Sequence, residues 1–189
     1  MKTNLITTIL LATMTILMTN CVTQSTSTIV GGEFNRKKNE TDYFVLPLGS
    51  VVLPGKWEKT NYQPTNRQQF FMNQDSVSIA IAFARFDKYE FNKKGSQTGF
   101  DFLKACYEWD SNYFVETHGL KRLLIESDST NNFMVYRIFG QIEKGEFDTY
   151  FLIGDKNGNI SNFSISSTTK WTESEKLDFL KGLFLQKKI

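Results

Sequence analysis

Apolar and polar positions divide the chain into three stretches. From Leu5 to Met18 every residue is apolar or threonine and none is charged. Residues 22–42 are rich in Thr, Ser, Gly and Asn and show no apolar period, so they read as a flexible tether. From Tyr43 onward, strand-like and helix-like patterns alternate with turn residues. No internal repeat is visible, so residues 43–189 are expected to form a single domain.

Within that domain the first strand signals are Tyr43 to Leu46, Ser50 to Leu53 and Gln68 to Asn73, with a Pro54-Gly55 turn between the second and third. Val77, Ile79, Ile81 and Phe83 share one face of the next strand; Ser78, Ala80, Ala82 and Ala84 share the other. A bulky face backed by a small one predicts a central strand with a helix close over the alanines. From Phe100 the period changes to that of a helix. Phe102, Cys106, Trp109 and Tyr113, together with Phe100, Leu103, Tyr107 and Phe114, fill one wide arc. Asp101, Lys104, Glu108, Ser111 and Asn112 lie opposite, and Gly119 marks the end.

Four more strands are predicted over Leu120 to Glu126, Phe133 to Gln141, Phe147 to Ile153 and Ile160 to Ser167. Short turn-rich links join them, with Asn157-Gly158 the clearest hairpin signal. Thr172 and Glu175 have capping-box spacing, ahead of a helix that buries Leu177, Phe179, Leu180, Leu183 and Phe184. Short links make successive strands antiparallel neighbours. The expected class is α+β: an antiparallel, meander-rich sheet of about six to seven strands packed by two main helices.

The N-terminal stretch sets the address. Lys2 precedes the uncharged run, which is too short and too rich in threonine to be read as a membrane-spanning helix. The run leads into Leu17-Met18-Thr19-Asn20-Cys21. This segment resembles the signal peptide of bacterial lipoproteins. The resemblance implies a signal over residues 1–20, removed on export, and a lipid of the palmitate type on Cys21. Each buried acyl CH₂ contributes about 0.8 kcal/mol, so several chains would hold a small domain firmly. The membrane would then be the first partner, with residues 21–42 reaching up to about 70 Å from it at about 3.4 Å per residue. The chain would be exported and anchored, facing the periplasm or the cell surface.

The folded part resembles the PsbP/Mog1-like domains, a group that includes envelope lipoproteins of the DcrB type. The likeness is carried by Leu53-Pro54-Gly55-Lys56-Trp57, by Gln69-Phe70-Phe71 with Val77 to Phe83, and by Thr168-Thr169-Lys170 leading to Glu175 and Leu180. It implies a binding or assembly role without transferable catalytic residues.

Composition narrows the choice of chemistry. A hydrophobic content of 40% with 14% aromatics belongs to a folded chain. The net charge of +2 gives no electrostatic reason to expect a nucleic acid. Two cysteines, one reserved for lipid, leave Cys106 without an intrachain partner, and it reads as a small buried hydrophobe. The single histidine, His118, falls at a helix end, where a cation is favoured. Neither a nucleophile elbow nor a phosphate loop is present, and zinc would lack ligands, so no catalytic residue, metal or cofactor is assigned. Asp155-Lys156-Asn157-Gly158-Asn159 begins like a calcium loop, but Ile160 and Ser166 stand where a glycine and a closing glutamate are needed, so it reads as a hairpin.

One anomaly points inward. Asp110 falls inside the apolar arc of the helix, where a bare carboxylate is costly. Arg137 is the odd charge in an apolar strand. The two are expected to meet as a buried polar pair, or to line a polar opening between helix and sheet. The functional expectation is a membrane-anchored, non-catalytic binding or assembly module with a protein partner. The alternatives are an immunity lipoprotein that neutralises an effector, and a small-ligand-binding protein or carboxylate-based hydrolase.

Overall fold

The computed structural model describes residues 27–143 and 145–186. The α+β class expected from the sequence is the one adopted. Seven strands form the main sheet: β5 (Trp57–Gln63), β6 (Gln68–Asn73), β7 (Ser78–Arg85), β8 (Lys121–Asp128), β9 (Phe133–Ile142), β10 (Gly145–Lys156) and β11 (Asn159–Ser166). Their order is β5-β6-β7-β11-β10-β9-β8, with every neighbour antiparallel. Asn157 and Gly158, at φ 58° and 80°, make the two-residue turn between β10 and β11, as their sequence predicts.

A smaller sheet packs beside it. Its central strand β3 (Glu40–Leu46) pairs on one side with β1 (Ile29–Gly31) and β2 (Phe34–Asn35), and on the other with β4 (Gly49–Pro54). This corrects the tether expected over residues 22–42, because residues 29–31, 34–35 and 40–42 are paired in strands. Ile29 sits opposite Leu46, and Phe34 opposite Thr41. Arg36, Lys37 and Lys38 belong to the turn from β2 into β3, where the Asn35 Oδ1 accepts from the backbone N–H of Lys37 and Lys38. Strands of two and three residues carry too few positions to show a period of two, so this segment reads as a linker in the sequence.

Two helices take opposite faces of the main sheet. Helix α1 (Gly99–His118) ends at Gly119, whose φ of 65° is the left-handed conformation glycine tolerates. Helix α2 (Glu173–Leu185) starts with the predicted capping box: the Thr172 Oγ1 accepts from the Glu175 N–H, and the Glu175 carboxylate accepts from the Thr172 N–H. Just past α2, the Gln186 side-chain amide pairs with both backbone groups of Val52 and closes the free edge of β4 there.

The sheet thus separates two cores. On one face Val51, Leu53, Phe71, Ile79, Ile81, Phe163 and Leu152 pack with Leu180, Leu183 and Phe184 of α2. On the other, Phe102, Leu103, Cys106 and Tyr107 of α1 pack on Tyr136, Ile138, Phe151 and Ile153. The helix expected over the alanines of β7 is displaced. Helix α1 lies on β8, β9 and β10, where Tyr136, Ile138 and Phe151 offer larger side chains to bury, and Ala82 and Ala84 remain half-buried.

Candidate functional site

A cleft of about 510 Å³ opens where the small sheet meets the β5–β6 hairpin. That volume falls within the usual range for small-molecule sites. Three parts of the chain build it. Val30 of β1 with Tyr43 and Val45 of β3 supply one wall; Phe83 of β7 supplies the floor; Tyr62, Arg67 and Gln69 of the hairpin supply the rim. The Leu46-Pro47 turn, held by the Leu48 N–H donating to the Val45 carbonyl at 2.7 Å, brings Leu48 into the lining. Gly49 lets β4 start flat against Phe83: a Cβ there would stand 2.3 Å from the Phe83 ring.

The chemistry of the cleft is an apolar interior under a polar rim with one cation, Arg67. Tyr43 is 2% exposed, stacks on Phe83 and meets Phe71 edge-on. Burial pushes its phenol above the ordinary value, and the Tyr62 phenol nearby adds to the shift. The Lys59 ammonium lies 5.3 Å from the centre of the Tyr43 ring. Arg67 sits at the end of the hairpin loop with φ 53°. None of these residues stands out in the sequence, since they come from strands far apart in the chain. A second cavity of about 40 Å³, beside Gln186 and Lys156, has room for water alone.

Asp110 and Arg137 do not meet, and the expected pair is corrected. They occupy opposite faces of the sheet. Tyr136, the neighbour of Arg137, points to α1 and donates its hydroxyl to the Asp110 carboxylate at 2.5 Å. Consecutive residues of a strand face opposite ways, so Arg137 must point to α2. There its guanidinium donates twice to Asp148, at 2.7 and 3.0 Å, reaches Glu173, and lies over the Phe139 and Tyr150 rings. Each charge therefore has its own partner.

Under α1, the side chains electrostatically coupled to Asp110 are Tyr89, Cys106 and Tyr136. Burial holds the Asp110 carboxyl above its ordinary value, and the Tyr136 hydrogen bond offsets only part of this. The folded chain thus binds that proton more tightly than the unfolded chain. The resulting stability is present at low pH and is lost as pH rises from the unfolded value through the raised one. Asp110→Asn is expected to be more stable than wild type at about pH 7, with the difference closing at about pH 3, in paired thermal melts. A gap that stays constant across that range would contradict this assignment.

The remaining candidates fall as follows. Cys21 lies outside the described residues. Cys106 is free and buried, with its thiol pushed upward first by burial and then by Asp110, an environment that suppresses thiolate chemistry. His118 is exposed beside the Tyr113 ring at the end of α1. Glu108 pairs with Arg122 on the surface, away from the Tyr136 contact of Asp110, so the two carboxylates do not share a site. Among the described residues no group of three or more His, Cys, Asp or Glu is placed to hold a metal ion. Among them, too, no helix is long and apolar enough to cross a membrane.

No family model matches the chain, and no curated protein matches it. Among solved structures it is similar to the solution structure of cyanobacterial PsbP (CyanoP) from Synechocystis sp. PCC 6803. The identity is 11% and the TM-score 0.37, over 89% of this chain and 94% of that one. The α+β architecture rests on the chain's own strand pairings and two helices.

Proposed function

We propose that this protein is a lipid-anchored binding module of the bacterial cell envelope, with the cleft between the small sheet and the β5–β6 hairpin as its contact site. The observation that carries the reading is the cleft itself: about 510 Å³, apolar inside and polar at the rim. The export segment ending in Cys21 supports the anchor. With β1 beginning at Ile29, only residues 22–28 separate the strand from Cys21. They span at most about 27 Å, so an acylated Cys21 would keep β1, and the cleft beside it, close to the bilayer.

Native mass spectrometry of the full chain taken from bacterial membranes tests both parts. The expected result is an acylated N-terminus at Cys21 and an additional bound mass, with the bound mass absent from a Val45→Trp variant that fills the cleft. An unmodified protein recovered wholly from the soluble fraction would refute the anchor. Identical spectra for wild type and Val45→Trp would refute the cleft.

A further inference from the structure

The rim of the cleft carries one charged side chain, Arg67. Among the described residues, the Arg67 side chain makes no hydrogen bond or ion pair. No acidic side chain lines the opening. A guanidinium left without a carboxylate beside an apolar space is a ready partner for an anionic group. Tyr43 strengthens the point. Its ring is almost wholly buried, but its hydroxyl is not enclosed and makes no hydrogen bond among the described residues, so it is free to meet a polar group in the cleft. The half-exposed Tyr62 phenol stands near it at the rim.

An apolar interior and an anion-seeking mouth together define an amphiphile. We propose that the cleft takes a single-chain anionic amphiphile, a long-chain fatty acid by class, with its chain against Val30, Val45 and Phe83 and its carboxylate at Arg67, within the range of the Tyr43 and Tyr62 hydroxyls. This rests on the cleft being the contact site. The apolar wall provides affinity by burying CH₂ groups, and the rim provides the preference for negative charge. Arg67 is exposed, so its share is expected to be moderate and sensitive to salt.

The test uses the full chain in nanodiscs with a palmitate carrying a diazirine near the middle of its chain. After irradiation, labelled peptides are mapped, with unlabelled palmitate or hexadecanol as competitor. Label is expected in the peptides carrying Val45 and Phe83, with Val45→Trp reducing it at least about tenfold. Arg67→Gln is expected to reduce it about fivefold at low salt, and less at high salt. Palmitate should compete, and hexadecanol should compete about fivefold less well at low salt. Unfolding curves matching wild type establish that both variants fold.

Undiminished label in Val45→Trp would place binding elsewhere and overturn the proposal. Equal competition by hexadecanol, with Arg67→Gln unchanged, would show a neutral apolar ligand and overturn it too. A bound mass in native spectra that depends on Val45, together with no palmitate labelling, would overturn the fatty acid while leaving the contact site intact.

Discussion

Phe102→Ala is expected to lower stability by about 3–5 kcal/mol, the range for truncating a fully buried aromatic ring. Phe102 is 0% exposed and sits at the centre of an aromatic cluster. Its ring stacks on Phe91 at 5.3 Å between centroids and meets Tyr89 edge-on at 5.1 Å and Phe86 at 6.4 Å. Phe86 and Phe91 come from the two short 3₁₀ turns that follow β7 and Tyr89 lies between those turns, so this one side chain ties that segment to α1. Removing it loses the buried area, the ring–ring contacts and the anchor of the segment together. A domain of this size has only about 5–15 kcal/mol in total, so a large shift of the urea midpoint should follow. A loss below about 1 kcal/mol would mean that the neighbouring rings collapse into the gap and that the cluster is less fixed than its packing implies.

Gly154→Ala is expected to cost about 1–3 kcal/mol through overpacking, despite adding only a methyl group. Gly154 lies in β10 directly beneath α2. A Cβ there would stand 2.3 Å from Cε2 and 2.4 Å from Cζ of Phe184. The ring has little freedom to withdraw, being 2% exposed, edge-on to Phe133 at 5.9 Å, and under the Lys156 ammonium at 4.8 Å. The origin of the cost can be isolated by a double-mutant cycle. Phe184→Leu alone should destabilise, but combined with Gly154→Ala it should cost less than the sum, because the smaller side chain makes room for the methyl. Strict additivity would show that the penalty arises in the backbone of β10 and not at the ring.

How far the sequence reaches depends on whether a feature is local. The Thr172–Glu175 box, the Asn157-Gly158 turn and the end of α1 at Gly119 are set by residues within a few positions of one another, and each was legible in advance. Strand β5 was not. Only Trp57 of its seven residues is buried, so Glu58 to Gln63 shows no alternation, and pairing with β6 alone makes it a strand. The apolar arc of α1 is narrower than its sequence suggests: Trp109 and Tyr113 are exposed, while Ser111, expected on the opposite side, is fully buried and accepts from Arg122. Asp110 was rightly singled out as a charge needing a partner. Its partner follows from alternation along β9, which turns Tyr136 and not Arg137 toward α1. The cleft was beyond reach, since Val30, Tyr43, Arg67 and Phe83 meet only once two sheets have packed.

The two cores, one on each side of the main sheet, have an evolutionary consequence. Side chains on the α1 face share few neighbours with those around the cleft, and energetic effects at well-separated sites tend to add without interfering. One side can therefore serve as a conserved chassis while the other drifts. Descendants of this chain could acquire a different specificity by altering β1, β3 and the β5–β6 hairpin, with no matching changes required beneath α1.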